Sequence, residues 1–264
     1  MNRIQNKFKE LKTKKQKALI GFVTAGDPDF SKSLELIIAM CQSGLDILEL
    51  GVAFSDPTAD GPVIQRSSAR AIAKGINLAK VFKMIKKIRQ YTDIPIVLFS
   101  YYNPIFAYGI KKFYVDAKVA GADGTLVVDL PLEESEEMTC VWEDNNFSLI
   151  RLIAPVTPEK RMQKIAKTGS GFLYLISRTG ITGKKGLNTK LINENVKKLR
   201  IICDLPICVG FGISTPDDVA KVASIADGVV IGSAFEKLIE DNIDNPHLFD
   251  IMAKKVKEYK ACTI

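Results

Sequence analysis

The sequence predicts an α/β protein that folds as a single (β/α)8 TIM barrel with an extra helix at its N-terminus. Eight short runs rich in β-branched residues and leucine alternate with segments that have the period of an amphipathic helix. Eight such units fit a closed barrel better than an open doubly wound sheet, which usually has about five or six strands and often a GxGxxG motif after the first. No such motif follows the first run, and no linker divides the chain, so residues 1–264 are expected to form one domain.

Most predicted strands are followed by a loop that contains glycine or aspartate. The eight predicted strands are Leu19–Thr24, Asp46–Leu50, Ile94–Phe99, Gly124–Val128, Leu149–Ile153, Phe172–Ile176, Ile207–Gly210 and Gly228–Ile231. Intervening helices connect successive strands as parallel βαβ units.

Helix boundaries are also visible in the sequence. Thr157 and Thr215 each precede a proline, which predicts an N-cap hydroxyl followed by proline at the first helical position. Gly44 and Gly75 are predicted to end helices. The opening segment Met1–Leu11 is predicted to be the extra helix, because its apolar positions 4, 8 and 11 would cover the bottom of the barrel.

The composition excludes several classes of protein. With 47% hydrophobic and 25% charged residues, the chain is neither disordered nor fibrous. No apolar run approaches the roughly 20 residues that span a bilayer, and the lysine-rich segment Met1–Lys17 lacks the apolar stretch of a signal peptide. Neither membrane association nor secretion is expected. The five cysteines form no CxxC pair, which favours free thiols in a reducing compartment, the cytoplasm or a plastid stroma.

The small number of histidines excludes sites whose chemistry depends on this residue. His247 is the only histidine and lies in a polar stretch, so it is interpreted as a surface or packing residue. No metal site is expected, nor a catalytic triad that needs a buried histidine. The net charge of +7 could indicate nucleic-acid binding, but the lysines are spread along helical segments. A lysine-rich solvated surface is the ordinary interpretation, a field that attracts a small anionic substrate is the functional alternative, and no nucleic-acid partner is expected.

The second predicted strand carries the first candidate catalytic residue. Alternation along this strand puts Ile47 and Glu49 on one face and Leu48 and Leu50 on the other. If the leucines face the helices, Glu49 points into the mouth of the barrel. Desolvation there raises the pKa of a carboxyl, which suits it to donate and accept a proton near neutral pH. The alternative is a salt bridge between Glu49 and a neighbouring strand.

Two aspartates follow in the loop after this strand. Either Asp56 or Asp60 could reach over the mouth of the barrel and meet the second end of a substrate. Asp56 fits equally well as a turn brace before Pro57. Asp60, which precedes Gly61, is favoured as the functional one.

Glycines after the seventh and eighth predicted strands suggest a phosphate site. The seventh strand runs into Gly210, Phe211 and Gly212, and the eighth into Gly232 and Ser233. Barrels often bind phosphate with these two loops, because the N–H groups of bare glycine backbone can close on the oxygens. Tight turns are the alternative. The glycine- and hydroxyl-rich segment 177–186 after the sixth strand is either a mobile cover or an ordinary surface loop.

On these motifs the chain resembles the tryptophan synthase alpha chain family along nearly its full length. The most distinctive match is the second strand with its loop, in Glu49–Gly51, Phe54–Pro57 and Ala59–Gln65. The other matching motifs are Thr24–Pro28, Asp129–Pro131, Ser177, Arg178, Gly180, Thr182, Gly183 and the glycines after the seventh and eighth strands.

The resemblance implies a lyase that splits indole-3-glycerol phosphate into indole and glyceraldehyde 3-phosphate by a retro-aldol step of tryptophan biosynthesis. It implies that Glu49 transfers protons between the indole C3 carbon and the C3′ hydroxyl. Asp60 would accept the indole N–H proton. The implied indole contacts are Phe22, Phe99, Ile153 and Tyr174, with Leu126 a weaker candidate. The implied phosphate ligands are Gly183, Gly212, Gly232 and Ser233, and Thr182 and Phe211 are further expected substrate contacts.

The resemblance also implies a partner. Members of this family act with a pyridoxal-phosphate-dependent beta chain in an αββα heterotetramer, and indole passes to it through an interior tunnel. The alpha chain itself then needs no cofactor. The loop residues expected to face the partner are Ala53, Phe54, Asp56 and Pro57.

Three positions depart from the family pattern. Ala53 stands where the family usually has proline, Thr58 where it has a larger aliphatic residue, and Val128 where it often has proline. None of them transfers a proton. Alanine in place of proline gives the free loop more conformational freedom, so coupling to the partner, rather than the chemistry, is expected to differ.

Three other functions are weighed. A free-standing indole-releasing lyase would share every catalytic residue. An isomerase barrel acting on a related phosphorylated substrate would share the phosphate loops but would not require both Glu49 and Asp60. A catalytically silent module that regulates a partner enzyme is disfavoured, because it has no need for two carboxylates at a desolvated mouth.

Overall fold

Eight parallel strands form a closed barrel in which each strand pairs with its neighbours in the chain and β8 pairs with β1. The computed structural model describes residues 2–142, 146–177 and 187–264. The strands are β1 Ala18–Thr24, β2 Ile47–Gly51, β3 Ile96–Ser100, β4 Gly124–Val127, β5 Ser148–Ile153, β6 Leu173–Ile176, β7 Ile207–Gly210 and β8 Gly228–Ile231. The predicted TIM barrel is confirmed, and the predicted strand ends agree to within two residues.

Helices surround the barrel on the outside. Within the described ranges they are α1 Arg3–Thr13, α2 Phe30–Gln42, α3 Pro62–Ala73, α4 Leu78–Ile88, α5 Tyr102–Tyr108, α6 Ile110–Ala120, α7 Glu136–Thr139, α8 Glu159–Thr168, α9 Thr189–Ile202, α10 Pro216–Ala223, α11 Ser233–Asp241 and α12 Leu248–Ala261. A 3₁₀ turn at Leu132–Glu134 precedes α7. The last helix, α12, packs against α2, so the end of the chain returns to its beginning.

Two sets of apolar side chains fill the molecule because strand residues alternate between the two faces of the sheet. The outer set lies between strands and helices and includes Leu48 and Leu50. The inner set fills the barrel and is called here the inner cluster. It consists of Ile4, Phe8, Leu11, Ala18, Ile20, Phe22, Ile47, Val97, Phe99, Leu126, Ile150, Phe172, Tyr174, Cys208 and Val230.

The N-terminal helix closes the bottom of the barrel, as predicted. Asn2 caps α1, and its side chain and that of Gln5 bond to each other's backbone N–H groups in a capping box. Three apolar side chains of α1 belong to the inner cluster, and the Phe8 ring lies 5.9 Å from that of Phe172. Arg3 pairs with buried Asp123 at 3.1 Å, which fixes α1 against the end of the barrel.

Most predicted helix boundaries are confirmed, and one is wrong. Gly44 and Gly75 follow α2 and α3 with φ of +107° and +70°. Thr215 caps α10 in a capping box. Thr157 does not cap α8, because that helix begins at Glu159 and Pro158 takes the extended backbone of the N-cap position. The Thr157 N–H instead bonds to the Ala154 carbonyl at 3.0 Å in a separate turn.

The remaining compositional predictions concern cysteine, histidine and the membrane. All five cysteines are free, and the His247 side chain is 74% exposed, which confirms it as a surface residue. No cluster of three or more potential metal ligands lies within residues 2–142, 146–177 and 187–264. In the same ranges, every helix is too short or too polar to cross a bilayer.

Replacing Phe8 by alanine is expected to lower the free energy of unfolding by about 3 kcal/mol, because the lost ring leaves a cavity between α1 and Phe172. Urea denaturation followed by circular dichroism measures the loss. Lys9→Ala, an exposed position on the same helix, is the matched control. An equal loss in both variants would mean that the buried face of α1 does not hold the helix in place.

Candidate active site

Glu49 lies inside the barrel, on the second strand, as the alternation of that strand predicted. It is paired in register with Phe22 of β1 and Val97 of β3, both of which belong to the inner cluster. Only 1% of Glu49 is exposed, and neither carboxyl oxygen has a hydrogen-bond partner in the described part of the chain. Because a charged carboxylate is poorly solvated there, burial raises the pKa of Glu49 to about 8.

The alternative interpretation of Glu49 as a salt-bridged residue is wrong for the described residues. Among the described residues, no cation lies within ion-pair distance of the Glu49 carboxyl. By contrast, Asp46, directly before β2, pairs with Lys260 at 2.7 Å. Glu49 is therefore a neutral acid near pH 7, surrounded by apolar and aromatic groups.

An aromatic slot lies next to Glu49. Phe22 and Phe99 meet edge to face with ring centroids 5.1 Å apart, and Tyr174 meets Phe211 in the same way at 5.9 Å. Burial raises the pKa of the Tyr174 hydroxyl well above its usual range, and the nearby Glu49 adds to the shift. The slot is therefore an apolar chamber with one titratable group of roughly neutral pKa.

Two glycines make room for these rings. A Cβ atom at Gly210 would lie 2.0 Å from the Tyr174 hydroxyl oxygen, and one at Gly51 would lie 2.7 Å from the edge of Phe22. Any larger residue at either position would displace a ring of the slot. These glycines are required by close approach of side chains rather than by backbone conformation.

One predicted contact of the slot is wrong by one residue. Ile153 belongs to the outer set, between β5 and the helices, and not to the inner cluster. Its neighbour Leu152 faces inward and packs against the inner cluster, as do Val128 and Ile176. The reason is the phase of β5, in which Ile150 and Leu152 point inward and the alternate residues point outward. Phe22, Phe99, Tyr174 and Leu126 are all inner-cluster residues.

Asp60 is the second buried acid near the mouth. It is 6% exposed, and burial raises the pKa of its carboxyl to about 6, partly offset by a hydrogen bond from the Tyr101 hydroxyl. The Ala59 N–H donates to the same Tyr101 oxygen at 2.9 Å. The Tyr101 hydroxyl therefore accepts a hydrogen bond from Ala59 and donates its own proton in a hydrogen bond to Asp60. Tyr101 directly follows β3, and this position at the carboxyl end of a strand was the only signal that could have found it.

The loop between β2 and α3 is bent by its own backbone. The Thr58 N–H bonds to the Asp56 carbonyl at 2.9 Å, and the Asp60 N–H bonds to the Pro57 carbonyl at 3.0 Å. The Asp56 side chain is exposed and accepts a bond from the Ser55 hydroxyl at 2.5 Å. Phe54 stacks near Tyr101 with centroids 5.2 Å apart. The loop therefore brings Asp60 inward and leaves Asp56 outside.

The predicted phosphate loops border the same slot. Phe211 and Gly212 have φ of +74° and +71°, and the Ser177 hydroxyl and N–H hold this bend through the Phe211 and Gly210 carbonyls. Gly232 is the N-cap of α11, which begins at Ser233 without a side-chain cap. The first N–H groups of a helix have no partner within the helix, so they are available to an anion.

The start of α11 lies beside the aromatic slot. A Cβ atom at Gly232 would be 3.5 Å from Phe22. The first N–H groups of α11 and the buried acid therefore lie on either side of Phe22, which is paired in register with Glu49. Thr182 and Gly183, and with them the predicted cover over the mouth, lie outside the described residues.

Glu236 on α11 is a buried acid that sequence reasoning missed. One of its carboxyl oxygens accepts the Thr24 N–H at 2.5 Å, which ties the end of β1 to the helix that follows β8. Burial, with a further contribution from nearby Asp27, raises the pKa of Glu236 well above its ordinary value. Asp27 is itself held by two bonds of 2.7 Å from Arg70. This cluster fixes α11 next to the mouth of the barrel.

Comparison with known proteins gives one consistent result. A family model described as "Tryptophan synthase alpha chain" matches residues 8–262. Relatives with that name from Desulfatibacillum aliphaticivorans and Desulfosudis oleivorans are 57% and 60% identical to this chain over 263 residues, which is 100% of this chain and 99% of each relative. A crystal structure of tryptophan synthase subunit alpha from Legionella pneumophila matches with a TM-score of 0.91 at 35% identity, over 100% of this chain and 98% of the other.

The Glu49 carboxyl makes stability depend on pH. Its pKa is about 8 in the folded chain against an ordinary value of 4.5, so the folded state binds the proton more tightly than the unfolded state. This stabilisation is complete below the ordinary value and is lost as the pH rises toward 8, by about 1.4 kcal/mol per pH unit.

We expect Glu49→Gln, which has no ionisable proton, to be more stable than the native chain at pH 8 and to lose this advantage toward pH 5. Urea denaturation at several pH values measures the gap, with Glu35→Gln, at an exposed position of α2, as the control. A gap that does not change with pH would contradict the buried, unpaired state of Glu49.

Tyr101→Phe is expected to raise the pKa of Asp60 further above 6, because it removes the hydroxyl that stabilises the charged carboxylate. Carbon-13 NMR of the aspartate carboxyl groups across a pH titration measures the shift. Tyr91→Phe, at an exposed position, is the matched control. An unchanged Asp60 titration in Tyr101→Phe would remove Tyr101 from the site.

Proposed function

The chain belongs to the tryptophan synthase alpha chain family, and we propose that Glu49 and Asp60 are the acid–base pair with which it cleaves indole-3-glycerol phosphate into indole and glyceraldehyde 3-phosphate. The observation that carries the proposal is the Glu49 carboxyl, which is buried in an aromatic slot without any hydrogen-bond partner among the described residues. A carboxyl in this state is costly to keep unless a substrate supplies its partner.

The two acids differ in protonation as the reaction requires. With a pKa of about 8, Glu49 holds its proton at neutral pH and can donate it. With a pKa of about 6, Asp60 is mostly ionised and can accept one. One buried acid and one buried base thus face opposite ends of a substrate that spans the mouth.

Glu49 and Asp60 together account for every proton that moves in the proposed retro-aldol step. Glu49 protonates the indole C3 carbon, and Asp60 accepts the indole N–H proton, which produces the indolenine form. The Glu49 carboxylate then removes the proton of the C3′ hydroxyl. The C3–C3′ bond breaks, its electron pair returns to the ring, and C3′ becomes the aldehyde carbon. Glu49 ends the cycle protonated, and the proton on Asp60 returns to the indole nitrogen.

Binding is proposed to use the remaining groups of the site. Phe22, Phe99, Leu126 and Tyr174 would contact the indole ring, with Leu152 in the place predicted for Ile153. Phe211, Gly212, Gly232 and Ser233 would hold the glycerol phosphate, because the N-terminal N–H groups of α11 and its helix dipole favour an anion. The roles of Thr182 and Gly183 stay predictions.

The family implies a tryptophan synthase complex with a beta chain. We propose the αββα heterotetramer, with pyridoxal phosphate in the partner, no cofactor in this chain, and the β2–α3 loop at the interface. Exposed Asp56 and partly exposed Ala53, Phe54 and Pro57 support that position of the loop. We also propose that residues 1–264 act as one domain, because β8 pairs with β1 and α12 packs on α2. The cytoplasmic location stays a prediction.

Glu49→Gln is expected to lower indole release by about 10³-fold while leaving affinity for a beta chain unchanged, because the amide cannot transfer the proton. Indole release from indole-3-glycerol phosphate is measured for the purified chain alone and with a beta chain, with Glu35→Gln as the control. Release that rises sharply with the partner supports the alpha-subunit function, and equally fast release without it supports a free-standing lyase. Full turnover by Glu49→Gln would overturn the role of Glu49.

A further inference from the structure

Little regular secondary structure packs against the outer face of β5. Between β4 and β5 the described chain provides only the 3₁₀ turn Leu132–Glu134 and the four-residue helix α7. A cavity of about 460 Å³ lies outside β5. Its lining consists of the segment Val127–Leu132, residues 149–152 of β5, Ala154 and Thr157 from the turn that follows, Arg161 and Ile165 of α8, and Ile176 at the end of β6.

Arg151 projects from β5 into this cavity. Its neighbours Ile150 and Leu152 face the inner cluster, so alternation sends the Arg151 side chain outward. It is 7% exposed, and its Nη2 group donates to the Ser135 hydroxyl at 2.5 Å. Its Nε–H is buried and has no acceptor among the described residues.

The absence of a counter-charge distinguishes Arg151 from every other arginine that the structure describes. Each of the others pairs with a carboxylate: Arg3 and Arg89 with Asp123, Arg66 and Arg70 with Glu240, Arg161 with Glu133 and Arg200 with Asp227. Arg151 is nonetheless one of the most buried, and a buried guanidinium stays charged because its intrinsic pKa is above about 12. An unpaired buried charge is unfavourable unless a ligand supplies the opposite charge.

Of the charged residues that line the cavity, Arg151 and Asp129 have no ion-pair partner among the described residues. Arg161 is neutralised by two bonds from its guanidinium to Glu133, at 2.8 and 3.0 Å. Asp129 lies on the wall and accepts the Tyr102 N–H at 2.7 Å, but it is not within ion-pair distance of Arg151. An anion bound at Arg151 would carry a single charge, because the Asp129 carboxylate would repel a second one.

We propose that this cavity binds a small monocarboxylate, with Arg151 as its anion-binding residue. The Nε–H and the neighbouring Nη–H of a guanidinium form a planar fork that fits the two oxygens of a carboxylate. Leu130, Leu149 and Ile165 line the same space and would contact an apolar substituent. Three lining residues, Val128, Leu152 and Ile176, also pack against the inner cluster, so the cavity adjoins the aromatic slot, but Glu49 is not among its lining residues. The proposal does not depend on the proposed function.

Thermal denaturation of the full chain tests the proposal. Sodium acetate and sodium propionate are titrated against sodium chloride at constant ionic strength, with inorganic phosphate as a second comparison. We expect both carboxylates to raise Tm in a saturable way, and phosphate to raise it less. No saturable rise above chloride, or a larger rise with phosphate, would overturn the proposal.

Variants test whether the carboxylate effect on Tm arises at Arg151. Arg151→Gln should weaken the carboxylate response about tenfold or more, whereas Arg161→Gln, from the same cavity but already paired with Glu133, should keep it. Arg151→Lys should fold and bind more weakly than the native chain, because it keeps the charge but loses the fork. An equal response of the native chain and Arg151→Gln would exclude this site.

A direct measurement does not depend on the stability of any variant. The Nε–H resonance of Arg151, assigned in nitrogen-15-labelled protein as the signal missing from Arg151→Lys, should move during the acetate titration and follow the same saturation as Tm. A resonance that stays unmoved while Tm rises would show that acetate acts elsewhere. Indole release by Arg151→Gln, measured separately, reports on the proposed function alone.

Discussion

Strict alternation of side chains along eight parallel strands decides which residues reach the inside of this barrel. Helices cover the outside, so both faces of each strand are largely buried, and a shift of one residue exchanges the two environments. Glu49 meets Phe22 and Val97 inside because Leu48 and Leu50 pack outside. The same rule sends Arg151 outward from β5. The chemistry of the molecule therefore depends on the phase of each strand as much as on its sequence.

The sequence predicted the barrel, its eight strands and the inward position of Glu49, because β2 shows a polar residue at one alternating position and leucines at the others. In β5 both faces are largely apolar, so nothing in the pattern set the phase, and Ile153 was placed where Leu152 lies. Glu236 and Tyr101 were missed because the groups they bond to are distant in the chain. Thr24 lies 212 residues from Glu236, and such a pairing has no local signal.

Buried carboxyl groups of this barrel are of two kinds, those with hydrogen-bond or charge partners and those without. At the amino-terminal end of the strands, Asp46 accepts the Leu19 N–H and pairs with Lys260, and Asp123 accepts the Ile96 N–H and pairs with Arg89. These groups hold strands and helices together. At the other end, Glu49 has no partner within the described chain. Satisfied charges thus stabilise the amino-terminal end, and the Asp27–Arg70 pair does the same beside the mouth, where the unsatisfied Glu49 is available for reaction.

The pairing of β8 with β1 has a consequence for how the protein is made. Residues 18–21 of β1 hydrogen-bond to residues 228–231, so one edge of the first strand has no partner until nearly the whole chain has left the ribosome. An open strand edge pairs readily with other chains, and sheets built from distant segments form slowly. Until residues 228–231 are made, this edge of β1 is open to pairing with other chains, and the arrival of β8 removes it.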